Sequence, residues 1–196
     1  MIRIEQIPRS AAWTPTLDTV NSFTNGIYQP CKILGPARLV RLLSHAGQAP
    51  EGQMYKENLE EGSFWFDEQS YFRIRSEAEA DLRSQMGRDD RQEQLKSRLG
   101  MYLRHQFRNL LAVRRNWTPS FDFYIVLDIP ANNAVVALAG SVGEQPVYSN
   151  DFAGAAAAKK AKIRLEGGLK QYVIDFRFGP NAKAVDWIVR PLRPIQ

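Results

Sequence analysis

The sequence predicts an α+β domain with helices in its middle and strands towards both ends, and three patterns carry that expectation. Phe121, Phe123, Ile125, Leu127 and Ile129 alternate with Asp122, Tyr124, Val126 and Asp128, the two-residue period of a strand. Leu95, Leu99, Leu103, Phe107 and Leu111 recur every four residues, as do Ile74, Ala78, Leu82 and Met86, which lays an apolar stripe along one side of each of two helices. Strand-like runs lie both before and after this helical stretch, so the two kinds of element are segregated along the chain and do not alternate.

Taken in order, the first element is a short helix with Thr14 as N-cap, Pro15 at the first helical position, Leu17 and Val20 turned inward, and Gly26 just past its end. Residues 31 to 35 and 38 to 44 are extended segments broken by Gly35-Pro36, and the second sets Leu39, Arg41 and Leu43 on one face with Val40 and Leu42 on the other. A polar loop follows from Gln48 to Gly62, placed to cover a cleft, and leads into Phe64-Trp65-Phe66. Asp67 caps the first long helix, and Gly87 with Asp89-Asp90 separates it from the second.

After the strand at 121 to 129, ended by Pro130, the chain reads as a strand from Asn133 to Ala139 and a turn at Gly143-Glu144-Gln145-Pro146. A short alanine-rich helix entered near Asp151 comes next. Ile163 and Leu165 start a strand that Gly167-Gly168 interrupts, and Tyr172, Ile174, Phe176 and Phe178 then alternate with Gln171, Val173, Asp175 and Arg177. Val185, Trp187 and Val189 predict a last strand, with Pro191 to Gln196 lying along the surface.

At 196 residues and 44% hydrophobic, residues 1–196 read as a single domain with one substantial core. Cys31 is the lone cysteine, which excludes an internal disulfide framework and a cysteine-rich zinc site, and cytosolic conditions suit such a chain. The N-terminal residues do not form a secretory signal, and no apolar run approaches the roughly 20 residues that span a bilayer, so no membrane partner is expected. His45 and His105 are the two histidines and lack ligand spacing, and neither a phosphate-binding loop nor a G-x-S-x-G elbow is present.

The net charge of +5 is concentrated in one place. Residues 88 to 115 hold eight Lys/Arg against three Asp/Glu, and Lys96, Arg98, Arg104 and Arg108 fall largely outside the apolar stripe of the second long helix. A solvated basic face is the ordinary outcome, and the functional alternative is a noncatalytic module that holds nucleic acid or an acidic inhibitor protein through Arg104 and Arg108.

Three short motifs suggest dinucleotide chemistry. Arg41 on a strand can fork onto a pyrophosphate; Ser63 beside Phe64 and Trp65 can hold a ribose and a flat ring; Gln171, just after Gly167-Gly168, can accept from a sugar hydroxyl. Glu144 and Glu166 are further carboxylate candidates for stabilising a cation or taking a proton, although glutamates at turns are usually solvated.

The order Leu39-Val40-Arg41, then Gly62-Ser63-Phe64-Trp65, then Gly167-Gly168-Leu169-Lys170-Gln171 resembles the ADP-ribosyltransferase-like superfamily, including bacterial polymorphic toxin domains and the necrotizing-toxin type NAD glycohydrolases. That resemblance implies a split β-sheet core with a helical middle segment, and NAD as the substrate. It gives Arg41 the NAD phosphates, Ser63 with Phe64 and Trp65 the nicotinamide ribose and ring, and Gln171 the polar residue essential to catalysis. Glutamine stands at 171 where many members carry glutamate, which leaves transfer to a protein or RNA acceptor and simple NAD hydrolysis both open. The resemblance also implies a toxin or effector acting in the cytoplasm of a target cell after delivery, with a cognate immunity protein in the producing cell.

Overall fold

The computed structural model describes residues 2–43, 63–85, 92–112, 123–146 and 164–195. Among these residues ten strands run in chain order as β1 (Arg3–Gln6), β2 (Gln29–Leu34), β3 (Ala37–Leu43), β4 (Ser63–Asp67), β5 (Phe123–Ile129), β6 (Ala134–Ser141), β7 (Gln145–Pro146), β8 (Arg164–Leu165), β9 (Lys170–Ile174) and β10 (Ile188–Pro194). Helices α1 (Leu17–Asn21), α2 (Glu68–Gln85) and α3 (Gln92–Leu110) accompany them. Eight strands make one antiparallel sheet in the order β1-β2-β6-β9-β4-β3-β5-β10, while β7 and β8 pair separately. The α+β class is as the sequence predicts.

A bent ribbon organises this sheet. Only Gly35 and Pro36 separate β2 from β3, and only residues 130 to 133 separate β5 from β6. The first pair runs antiparallel to the second throughout, β2 against β6 and β3 against β5. Both long strands turn at the same level, where Gly35 N donates to the Asn133 carbonyl at 2.8 Å. No side chain fits there, because a Cβ at Gly35 would collide with the Pro130 carbonyl. Strands β9 and β4 then bridge the outer edges of β6 and β3, so the sheet curls about its own interior. Strands that change direction at a bend form the corners of such packings.

The concave side holds one core, with Cys31, Ile33, Leu39, Trp65, Leu127, Val135 and Ile174 drawn from both halves of the ribbon. The opposite side holds a second core, where Val40, Leu42, Phe66, Tyr124 and Val126 meet α2 and α3. The helical stripes lie as their periodicity predicts: Ile74, Ala78 and Leu82 of α2, and Leu99, Leu103 and Phe107 of α3, are all buried. Tyr71 of α2 stacks on Phe107 of α3, with ring centroids 5.3 Å apart and planes 6° from parallel. Asp67 caps α2 as expected, its Oδ1 accepting from Ser70 N at 2.8 Å.

Three local expectations are corrected. The first helix is capped by Thr16 and not Thr14: Thr16 Oγ1 accepts from Thr19 N at 3.2 Å, Pro15 lies ahead of the cap, and Leu17 points outward at 74% exposure. Five residues are too few to define an apolar face. Near the end of the chain, Gly179–Trp187 is a 3-10 helix and not the start of a strand. Its inward residues, Asn181 and Ala184, are three apart as that helix requires, and the apolar alternation at Val185, Trp187 and Val189 imitates a strand. Beyond it, β10 is a paired strand ending beside the buried Ile195, where a surface tail was expected.

The predicted loop at Gln48 to Gly62, the linker at Gly87 to Asp90 and the helix near Asp151 lie outside the described residues, as do His45, Met86 and the side chains of Leu95 and Lys96. Among the described residues no helix is long and apolar enough to cross a membrane.

Candidate functional site

The three motifs, distant in sequence, occupy three neighbouring strands. Arg41 lies on β3, Ser63, Phe64 and Trp65 on β4, and Gln171 on β9, and these strands are consecutive in the sheet as β9-β4-β3. Ser63 opposes Ile174, Phe64 opposes Val173, and Trp65 opposes Tyr172. Leu39 opposes Asp67 and Val40 opposes Phe66, so the same register continued by one residue sets Arg41 beside Trp65. Backbones that are 130 residues apart in sequence come within two strand spacings, about 10 Å.

The side chains, however, leave the sheet on two different faces. Arg41 alternates with Val40 and Leu42 and so shares the concave face with Leu39 and with Leu43, which packs against that core. Trp65 is on this face too, fully buried, its ring edge-on to Phe176 at 6.1 Å. Gln171 alternates with Tyr172, which belongs to the concave core, and shares its own face with Val173. Opposite Gln171 on β6 is Gly140, where a Cβ would strike the Phe23 ring, and Phe23 lies on the outer side. Phe64, 42% exposed, is on that outer face as well. Arg41 and Gln171 are therefore on opposite sides of one sheet, and the described residues do not bring these two side chains together. The side chain of Ser63 lies outside the described residues.

Each of these groups has a physical setting. Arg41 is half-buried, makes an interaction within the chain, and has its pKa lowered by burial to about 10, so it keeps its positive charge at neutral pH. Gln171 is 3% exposed, and its Nε2 donates to both the carbonyl and the Oγ of Ser22 at 3.1 Å. Two acceptors on one nitrogen settle which end of the amide faces Ser22. Ser22 in turn donates from Oγ to the Thr19 carbonyl at 2.7 Å and accepts from Gly143 N at 2.9 Å. Gly167 and Gly168, with φ of +70° and +90°, make the left-handed turn that leads into β9, and Gly168 N donates to the Val142 carbonyl.

Compared with known proteins, the chain matches no family model, no curated protein and no solved structure.

Sequence reasoning missed two contributors here. On the face of Arg41 the residue supplied by β9 is Tyr172, its phenol held protonated above the usual range by burial, with Asp67 and Cys31 adding to the effect. Ser22, the partner of Gln171, belongs to no motif, and only the tertiary structure brings it across 149 residues to β9.

The remaining candidates are ordinary surface or framework groups. Glu144 and Glu166 are both exposed. On α3, Arg98 and His105 are exposed, whereas Arg104 and Arg108 are half-buried and each already makes an interaction within the chain. A recess of about 280 Å³ opens where β3 begins and α2 starts, lined by Ile2, Pro36, Ala37, Arg38, Glu68 and Asp128 among others. Its arginine is Arg38, not Arg41. Nη1 of Arg38 lies 3.0 and 3.1 Å from the two carboxylate oxygens of Glu68, and its Nε lies 3.6 Å from Asp128. That guanidinium is already neutralised by carboxylates, which disfavours a phosphate at this point.

Proposed function

We propose that the chain is a toxin-type enzyme directed at NAD, which breaks the bond between nicotinamide and ribose and passes ADP-ribose to a protein or RNA acceptor, with water as the alternative acceptor. One observation supports this reading: the three motif strands are neighbours in the sheet, in the order β9-β4-β3. On this reading the NAD phosphates bind on the side of the sheet from which Arg41 emerges. The guanidinium, which already makes an interaction within the chain, exchanges it for a forked contact with the pyrophosphate, while Trp65 beside it holds the strand in the core.

The chemistry then follows from electrostatics. As the glycosidic C–N bond breaks, its electron pair leaves with nicotinamide and the ribose carries an oxocarbenium charge. An acceptor oxygen or nitrogen forms the new bond and releases its proton to solvent. Arg41 contributes by holding the phosphates still, so that the ribose stays in line with the incoming acceptor. Gln171, which faces the other way and is bonded to Ser22, supports the fold of β9 in the conformation described here.

Nicotinamide release from NAD is the deciding assay. The wild-type chain releases nicotinamide, Arg41→Ala lowers kcat/KM roughly 100-fold or more, and Arg41→Lys restores little because an ammonium lacks the fork. With labelled NAD, label retained on protein or RNA marks transfer, and free ADP-ribose alone marks hydrolysis. A folded wild-type protein that leaves NAD intact ends the reading. If the activity is present, a toxin of this kind also implies a neutralising partner protein made by the same cell.

A further inference from the structure

We propose that Leu17–Gly26 is a latch that opens as a unit and decides whether the carboxamide of Gln171 can meet solvent or a ligand. The inference goes beyond the NAD reading and does not depend on it.

Its basis is the way this segment is attached. None of the five residues of α1 is buried, and Leu17 at the start of the segment and Ile27 just past its end are 74% and 70% exposed. Among the described residues its one buried side chain is Phe23, 2% exposed, which packs on Leu138, Val173 and the Tyr28 ring in the space that Gly140 leaves free and whose backbone bridges to Val142. Around this plug run a few polar contacts, from Gly143 N and Gln171 Nε2 to the Ser22 carbonyl and from Thr24 Oγ1 to the Val142 carbonyl at 3.0 Å. The segment starts at an extended cap residue, Thr16, and ends at two left-handed residues, Asn25 and Gly26, with φ of 54° and 68°. A short element with one apolar anchor, bounded by turns, is the kind of unit that opens locally while the sheet beneath it stays folded.

Opening exchanges the hydrogen bonds to Ser22 for bonds to water, so each of them contributes modestly and Phe23 is the largest single term in the equilibrium. While the latch is closed, Gln171 is sealed. Once open, it stands on the same outer face as the exposed ring of Phe64.

Two adjacent amides test this directly. Val142 N donates to the Leu169 carbonyl within the framework, whereas Gly143 N donates to Ser22 in the latch, both at 2.9 Å. After correction for intrinsic rates, hydrogen exchange at Gly143 is expected to be at least roughly 10-fold faster than at Val142, and Phe23→Leu widens that ratio by about another 10-fold. Equal rates at the two amides, or a Phe23→Leu effect that is the same at both, would overturn the latch. Should Phe23→Leu fail to fold, Thr24→Val weakens the attachment more gently and is read in the same way. No NAD is present in these measurements. A chain that opens at Gly143 but leaves NAD intact therefore loses the enzymatic reading alone, and an active chain whose Gly143 exchanges in step with Val142 loses the latch alone.

Discussion

Replacing Gln171 separates a structural role from a chemical one. In Gln171→Ala the two hydrogen bonds to Ser22 are lost, at about 1 kcal/mol each, together with a buried methylene at about 0.8 kcal/mol. Ser22 keeps other partners in Gly143 N and the Thr19 carbonyl, so no acceptor is wholly stranded and the sum stays at roughly 2 to 3 kcal/mol. For a chain of this length that is a fall in Tm of roughly 5 to 10 °C.

Gln171→Glu is the sharper probe. A protonated carboxyl can still donate to Ser22, whereas a carboxylate there faces two acceptor oxygens in a buried place. Its folded-state pKa therefore rises above the value of about 4.3 that an unfolded glutamate has. The folded protein retains a proton that the unfolded chain releases, so the stability relative to wild type is full below about pH 4.3 and drops as the pH climbs through the raised value. Thermal melts of wild type and both variants from pH 4 to 8 measure this. An Ala variant melting within about 1 °C of wild type, or a Glu variant whose deficit does not change with pH, would refute the argument that Gln171 is a buried strut.

Two more perturbations follow from the same interior. Burial holds the Cys31 thiol up to about 11, whereas an unfolded thiol ionises near 8.5 to 9, so the folded state keeps its proton longer and stability falls between about pH 9 and 11 by roughly 2 to 3 kcal/mol. Urea midpoints should show that loss in the wild type and a flatter profile in Cys31→Ala; matching profiles would contradict it. Asn181 accepts from Val136 N at 2.8 Å and donates to the carbonyls of Val136 at 2.9 Å and Asp175 at 3.0 Å. Continuing the β6–β9 register sets Val136 opposite Asp175, so this side chain replaces a missing rung of the ladder. Asn181→Ala is expected to cost about 3 kcal/mol in urea denaturation, and a loss under about 1 kcal/mol would mean that water replaces the amide without penalty.

The periodic parts of this fold were legible because burial acts on whole faces. The phase of Ile74, Ala78 and Leu82, that of Leu99, Leu103 and Phe107, and the position of Arg41 beside Leu39 and Leu43 can all be read from residue order. The side of the sheet that each strand's alternation takes was not legible. Gln171 is visibly out of phase with Tyr172, but only the pairing of Trp65 with Tyr172 shows that the phase of Tyr172, and not that of Gln171, joins Arg41. The alternation of Gln171, Val173, Asp175 and Arg177 suggests a more polar face, yet at Gln171, with Val173 and Phe23 around it, that face is buried. Ser22 and Asn181 escaped notice because a side chain that completes a distant backbone has no periodicity and no motif. The 3-10 segment at Gly179–Trp187 is hidden in the sequence because Val185, Trp187 and Val189 alternate as a strand does, while the three-residue spacing of its buried Asn181 and Ala184 carries no apolar signal.

The bent ribbon also constrains how the chain assembles. Strands β4 and β9, which complete the curl, pair Ser63 with Ile174, so a nascent chain leaves one edge of β4, the one not paired with β3, and the outer edge of β6 without a mate until residues beyond 170 emerge. Contacts this remote in sequence slow folding, because the entropy of a long loop is lost before any pairing compensates for it. Products truncated ahead of Lys170 would lack β9 and β10 and present open β-edges on β6, β4 and β5, and self-association through those edges would be their characteristic fate.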